Sequence, residues 1–366
     1  MTPVEFRRHL HAFPELSFEE FQTAAFIEQA LAEEGISHRR IAKTGVLAYI
    51  DGNRKSNRAI LLRADIDALP VCEATAVDFA SKNEGVMHAC GHDMHAAVLF
   101  GVLQQLNRNR DFEGRVFAIF QPGEECNPGG ASLVLAEKPF EGYDVFAVVG
   151  EHVDSTLEVG CIGIKEGQFM ASSDELRFWV RGKGGHAALR KSVCDTVTAA
   201  ATLIVNLNAL NGEDLVLSIG RVTGEGATNV IPDCVAMEGT MRTFDEQIRK
   251  SVKEQIAAIA ASVDERFGTV TEVDINHGYP SVVNDGALCN VLQSVAAEAG
   301  VEVSELERRP MAEDFGYYCR QYPSLFYRLG VGRAAATSHT PYFMPNEDAI
   351  GVGVDIMLRL ALQLMK

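Results

Sequence analysis

The chain has 366 residues, 47% of them hydrophobic, and a formal charge of −17 from 33 basic and 50 acidic side chains. That length exceeds what one hydrophobic core supports, so two domains are expected, and the acidic balance disfavours nucleic acid and anionic membrane surfaces as partners. No apolar run reaches the length of a membrane span and the N-terminus lacks a signal-peptide pattern. The eight cysteines are scattered without a CxxC pair, which fits reduced thiols in a cytoplasmic protein.

In chain order, Glu5 to Leu10 and Phe18 to Glu34 predict helices broken at Phe13-Pro14. Ala59 to Ala64 (AILLRA) predicts a buried strand that ends in Asp65-Ile66-Asp67. A helix over Met94 to Leu106 follows, with Asp93 placed to cap it. Val116 to Phe120 and Val145 to Val149 predict two more strands, ending in Gln121-Pro122-Gly123-Glu124-Glu125 and Gly150-Glu151-His152. Each apolar strand thus ends in acidic or imidazole groups, and open α/β sheets bind ligands outside the carboxyl ends of their strands. The alternation of strand and helix predicts a largely parallel sheet covered by helices.

The middle of the chain has another order. Strands over Asp174 to Arg181, Leu215 to Val222, Cys234 to Arg242 and Val270 to Asn276 are interleaved with helices over Ser192 to Leu210 and Asp245 to Arg266. This is β-α-β-β-α-β, a ferredoxin-like unit, expected to span residues 168–277 and to interrupt a discontinuous domain of residues 1–167 and 278–366. The helices Gly286 to Ala299 and Ile350 to Leu364 belong to the resumed part.

Met87-His88-Ala89-Cys90-Gly91-His92-Asp93-Met94-His95 concentrates nitrogen, sulfur and oxygen donors in one turn. Such a set suits zinc, or manganese, cobalt or nickel, and Cys90 and His92 are spaced to share one ion. One stretch cannot close a site, so other ligands must lie elsewhere. In the Glu124-Glu125 pair, one carboxylate can hold metal while its neighbour takes a proton from activated water. Asp65 and Asp67 flank the same edge, either as strand-end caps or as groups that orient a histidine ligand. Taken alone, His152 and His339 read as structural histidines more readily than as ligands. His9, His11, His38 and His277 have no cluster around them and read as structural or surface residues.

These residues carry a family resemblance. RADIDALP (Arg63 to Pro70), MHACGHDMH, QPGEE, GKGGHAA (Gly182 to Ala188), NVIPD (Asn229 to Asp233), GTMR (Gly239 to Arg242), AEDFG (Ala312 to Gly316) and MPNEDAI (Met344 to Ile350) occur in order from about Glu5 to about Leu364. The set resembles the hippurate hydrolase and aminoacylase branch of the dinuclear metallopeptidase and amidohydrolase family. It is similar to indoleacetyl-amino-acid hydrolases and N-acetyldiaminopimelate deacetylases. The resemblance implies an aminopeptidase-like mixed sheet flanked by helices, with the ferredoxin-like insert as a lid. It implies two divalent metal ions held by Cys90, His92, Glu125, His152 and His339, with Glu124 as the general base. It further implies that His186, Asn229 and Arg242 meet the substrate, with His186 polarising the scissile carbonyl and Arg242 clamping a carboxylate.

The expected activity is hydrolysis of the amide bond of a small N-acyl amino acid, acetyl, benzoyl or similar. N-acetyldiaminopimelate deacetylation is a narrower version of it. The rivals are a dipeptidase or carboxypeptidase on the same metals, and a catalytically silent ligand-binding relative. Related lids pair in homodimers and can lend their histidine to the neighbouring subunit, so a homodimer through the lid is expected. Three departures from the family pattern stand out: Gly123 in place of alanine, and Leu189-Arg190 and Asp154-Ser155 where a proline is usual.

Overall fold

A strand without polar alternation, such as Ala59 to Ala64, must be covered on both faces. In the computed structural model, which describes residues 1–366, this segment lies inside an eight-stranded mixed sheet. The strand order is Ser37–Ile41, Gly45–Asp51, Glu113–Gln121, Arg54–Asp65, Asp144–Asp154, Ser324–Gly330, Cys161–Ile164 and Glu302–Glu305. The four central strands, Glu113–Gln121, Arg54–Asp65, Asp144–Asp154 and Ser324–Gly330, run parallel. Their carboxyl ends therefore lie along one edge. Alternate residues such as Ile60, Leu62, Val116, Ala118, Ala147 and Val149 point into a core shared with the helices Pro3–Ala12, His92–Arg108, Gly286–Ala299 and Asp348–Leu364.

Several boundaries differ from the expected ones. The helix expected from Phe18 begins at Phe21, because Phe18 has a left-handed φ of 64° that no helix continues. The helix after the histidine-rich stretch begins at His92, so Asp93 lies inside its first turn and does not cap it. The cap position is Gly91, at φ 92°. Asp93 is fully buried, where it accepts from Arg7 Nε at 2.9 Å and pairs with His11 Nδ1 at 2.9 Å. A buried carboxylate needs such partners more than a helix needs a cap.

The chain divides into two compact units: Met1–Phe169 with Val283–Glu307 and Asp314–Lys366, and Met170–Val282 with Arg308–Glu313. The second unit has a four-stranded sheet in the order Leu215–Gly224, Cys234–Thr243, Asp174–Arg181, Val270–His277, every neighbour antiparallel. With the helices Thr196–Asn208 and Glu246–Phe267 this is the β-α-β-β-α-β topology. Asp174–Arg181 alternates strictly between buried and more exposed positions, so the helices cover one face of the sheet only. Asp195 and Asp245 cap the two helices through their carboxylates.

Candidate metal centre

Cys90, His92, Glu124, Glu125, His152 and His339 all come to the carboxyl edge of the first unit's sheet. Three backbone devices bring them there. Gly91, in a left-handed conformation, separates Cys90 from the first helical residue His92, and a Cβ at this glycine would sit 2.5 Å from Val153 Cγ2. Gly123, at φ 59°, turns the chain between the Glu113–Gln121 strand and the glutamate pair. The third device is at His339, itself left-handed at φ 64°, whose N–H donates to Ala89 O at 2.7 Å and ties its loop to the cysteine stretch.

The donor atoms converge. Cys90 Sγ lies 3.3 Å from His152 Nε2 and 3.3 Å from His339 Nε2, and His339 Nε2 lies 3.2 Å from Glu125 Oε1. Two trios, Cys90-His92-His152 and Cys90-Glu125-His339, each have ligand atoms within 4.8 Å of one another, with the thiol common to both. A third trio is His92-Glu124-Glu125. His92 Nε2 is buried without a hydrogen-bond partner, with Asp65 Oδ2 at 3.7 Å and Glu124 Oε2 at 4.0 Å. An orphaned imidazole nitrogen beside a thiol and carboxylates fits a divalent ion.

The electrostatics point the same way. Burial pushes the Cys90 thiol up to about 12, so without a cation it stays protonated. Burial, with the Arg328 charge, holds His152 well below its usual range, leaving it neutral. His92 is driven the other way: burial lowers it, but the Asp65 charge and the Asp67 hydrogen bond raise it well above the usual value. The Glu125 carboxylate beside His339 raises that imidazole. A neutral imidazole and a thiol that burial keeps protonated are ligands that a bound cation would complete by displacing the thiol's proton.

Asp67 and Asp65 stand behind these groups. His92 Nδ1 lies 2.9 Å from the Asp67 carbonyl and 3.1 Å from its Oδ1, while Oδ2 accepts from Glu125 N at 2.9 Å and Ser17 Oγ at 2.7 Å. Burial raises this carboxyl, and those hydrogen bonds, His92 first, outweigh burial and leave it lowered. Asp65 accepts from Arg63 Nη1 at 2.6 Å and binds His95 Nδ1 at 2.6 Å. Arg63 Nη2 in turn donates to Asp314 Oδ1 at 2.7 Å, and Asp314 also receives Gln121 Nε2 and Ala131 N. No individual role for His95, Arg63, Gln121, Asp314 or Ser17 is legible in the sequence, although His95 stands in the donor-rich stretch and Arg63 and Gln121 in quoted motifs. Asp314 sat in a recognised motif, AEDFG, but no spacing rule tells that its carboxylate meets an arginine of a sheet strand.

Other expected residues lie in the second unit. His186 is exposed and pairs with Val230 in a two-residue ladder, next to Asn229, whose carbonyl accepts from Ala187 N at 2.8 Å. Its Nδ1 accepts from Ala188 N at 3.2 Å, which leaves Nε2 to face outward chemistry. Arg242 is half-buried, and burial alone lowers its pKa; no carboxylate pairs with it. In the histidine-rich stretch, His88 stays out of the cluster, fully buried and pushed down to about 4 by burial.

Two of the departures have local explanations. A Cβ at Gly123 would lie 2.3 Å from the Phe18 ring, so glycine here goes with the left-handed Phe18 turn. Asp154 Oδ1 accepts from Thr156 N at 2.8 Å and Thr156 Oγ1 at 2.6 Å, an Asx turn that fixes the His152 loop without the proline expected there.

The sheet edge and its donor set are those of a metal-dependent hydrolase, and the chain belongs to peptidase family M20/M25/M40, whose model matches residues 61–363. It is 39% identical to an N-acetyl-L-cysteine deacetylase of Bacillus subtilis over 95% of this chain and 84% of that one. It is 35% identical to an N-acetyldiaminopimelate deacetylase of Anoxybacillus flavithermus, covering 97% of this chain and 96% of that one. Among solved structures it is similar to a Bacillus subtilis protein described as a dinuclear metal binding peptidase from the M20 family. That match has a TM-score of 0.89 and 38% identity, and covers 99% of this chain and 97% of that one.

Proposed function

We propose that the protein is a metal-dependent amidohydrolase that cleaves the amide bond of small N-acyl amino acids to a carboxylate and a free amino acid. The observation that carries this is the Cys90-centred donor set with a second glutamate, Glu124, directly beside it. The deacetylase relatives, which span nearly the whole chain, favour acetyl as the acyl group.

Cys90, His92, Glu125, His152 and His339 would hold two divalent ions, with the thiolate common to both trios. Bound there, the ions supply Lewis acidity toward the acyl carbonyl and the attacking water. Glu124 is 7% exposed, so its carboxylate faces a site with little competing solvent. Its role is to take the proton of the attacking water and to deliver it to the amine nitrogen as the C–N bond breaks. Asp67 holds His92, through its carbonyl and its carboxylate, with Nε2 directed into the cluster, and its carboxylate also fixes the Glu125 backbone, so one residue aligns two ligands. His186 and Asn229 are assigned to the substrate, with His186 Nε2 donating to the carbonyl oxygen as negative charge develops. Arg242, a half-buried guanidinium without a carboxylate partner, is assigned to the α-carboxylate of the substrate.

A homodimer through the second unit is part of this reading. The helix Thr196–Asn208 exposes Val197 and Val205, and the edge strand Leu215–Gly224 exposes Val216 and Val222. Unpaired strand edges with exposed apolar side chains are commonly covered by a second copy. The eight free thiols support a reducing, cytoplasmic setting, and no helix is long and apolar enough to cross a membrane.

Activity on metal-reconstituted protein tests the proposal, with N-acetyl and N-benzoyl amino acids, their carboxamides and dipeptides as substrates. N-acetyl amino acids should be cleaved and their carboxamides far more slowly, with Arg242→Ala erasing much of that difference. Cleavage of dipeptides alone would contradict the amidohydrolase reading. Equal rates on acid and amide would remove Arg242 from the site.

A further inference from the structure

His95 belongs to a buried trio, Asp65-His92-His95, whose donor atoms also lie within 4.8 Å of one another. At first sight this is one more place for a cation. The hydrogen bonds argue otherwise, because both nitrogens of His95 are already committed. Nδ1 lies 2.6 Å from Asp65 Oδ1, and Nε2 accepts the Val153 N–H at 2.9 Å. A carboxylate on one side and an amide donor on the other fix the neutral tautomer with its proton on Nδ1. Metal at Nε2 would strip the Val153 amide of its partner in a fully buried place, at the cost of an unsatisfied donor.

The Val153 peptide is the one that orients His152. His152 Nδ1 donates to the carbonyl of Val153 at 2.7 Å, which leaves Nε2 free to face Cys90 Sγ. A side chain that bonds the carbonyl of its own next residue is held only as firmly as that residue's backbone. On this side the sheet gives no support. Arg63 pairs with Gly150, the Arg54–Asp65 strand ends two residues later, and Ile66 N turns away to Gln121 O. The amide of Val153 would thus lack a strand partner, and His95, reaching from the helix His92–Arg108, supplies the acceptor. Behind it Asp65 is itself clamped by Arg63, which is clamped by Asp314.

We propose that His95 is a positioning residue that, through the Val153 peptide, sets the orientation and tautomer of His152, and that it is not a metal ligand. The buried His92 and the half-buried His152 are then aligned by different means. His92 is held directly by Asp67, through its carbonyl and its carboxylate; His152 is held by the carbonyl of its next residue, which His95 locks. The inference rests on the assignment of His152 as a ligand, and the test separates the two.

Cadmium-loaded protein with nitrogen-labelled histidine gives the first readout. Direct cadmium–nitrogen coupling is expected at His92, His152 and His339 and none at His95. Coupling at His152 together with coupling at His95 overturns the inference alone. No coupling at His152 overturns the ligand assignment and the inference with it. The second readout needs no metal: hydrogen exchange at the Val153 amide of the metal-free protein should be slow. In His95→Phe that amide should exchange at least about tenfold faster, and cadmium affinity should fall roughly 10- to 100-fold, as for loss of a group that orients a ligand. His95→Gln, which keeps a side-chain carbonyl to accept the Val153 N–H, should recover part of both. An unchanged Val153 exchange rate in His95→Phe, or unchanged cadmium affinity, overturns the proposal. Should His95→Phe not fold, the wild-type couplings and the wild-type Val153 exchange rate decide it.

Discussion

Two adjacent carboxylates, Glu124 and Glu125, carry the sharpest division of labour at the residue scale. Glu125 lies 3.2 Å from His339 Nε2 and has its backbone pinned by Asp67. Glu124 Oε2 stands 4.0 Å from His92 Nε2, outside both cysteine-centred trios. Glu124→Gln should therefore keep its metal and lose on the order of 10²–10⁴ in kcat, the usual range for a missing general base. Glu125→Gln should lose metal and activity together. Elemental analysis of the two purified variants checks this, and equal metal loss in both would contradict the division. Cys90, His92 and the glutamate pair were legible in the sequence because donors crowd into short stretches there. His152 and His339 were not legible from their own surroundings; only the family pattern pointed to them. His95 and Asp314 stood in named stretches, but their roles were hidden for another reason. Their partners, Val153 and Arg63, are 58 and 251 residues away, and hydrogen bonds at that separation leave no mark in local spacing.

At the scale of elements, the first helix is bolted to the helix that begins at His92 by a buried network. Arg7 and His11 on Pro3–Ala12 meet Asp93, and His11 Nε2 reaches Glu73 at 3.3 Å. Burial pushes His11 down, but the Asp93 charge and the hydrogen bonds of Asp93 and Glu73 outweigh it and raise the imidazole to about 9. A folded-state value raised above the unfolded one contributes stability that is fully present below about pH 6.5 and is lost as pH rises through 9. Stability of the chelator-treated protein should fall between those limits by on the order of 3 kcal/mol. His11→Asn should flatten that slope, as read by urea denaturation across the interval. Identical slopes in both proteins would show that His11 does not hold its proton. The central strands were legible because AILLRA and VFAIF are apolar on both faces. The edge strands Ser37–Ile41 and Glu302–Glu305 were not, since SHRRI and EVSE have polar sequences whose strand form comes from pairing with a neighbour. The supposed cap Asp93 misled for a physical reason: at a helix start a carboxylate can serve the backbone or a distant arginine, and Arg7 lies 86 residues away.

At the scale of the molecule, the β-α-β-β-α-β order of the second unit could be read from the strand and helix sequence alone, since each of its elements carries its own periodicity. Its exposed valines and free edge strand lead to a prediction about assembly. If His186 acts across a dimer, Glu124→Gln and His186→Ala chains should each be nearly inactive. Unfolded together and reassembled, half of the dimers are mixed, each with one intact composite site, so activity should return to roughly a quarter of wild type. A mixture that stays inactive although mixed dimers are shown to form places His186 in its own subunit. The central claim is that the Cys90 cluster binds the metal that drives amide hydrolysis. The most direct measurement is metal content and turnover of an N-acetyl amino acid on the same samples, before and after chelation, for wild type and Cys90→Ala. Wild type should carry about two ions per chain, its turnover should disappear with the ions and return with them, and Cys90→Ala should fold yet be deficient in both. Turnover that survives removal of the ions, or a Cys90→Ala that keeps its full metal content, would contradict it.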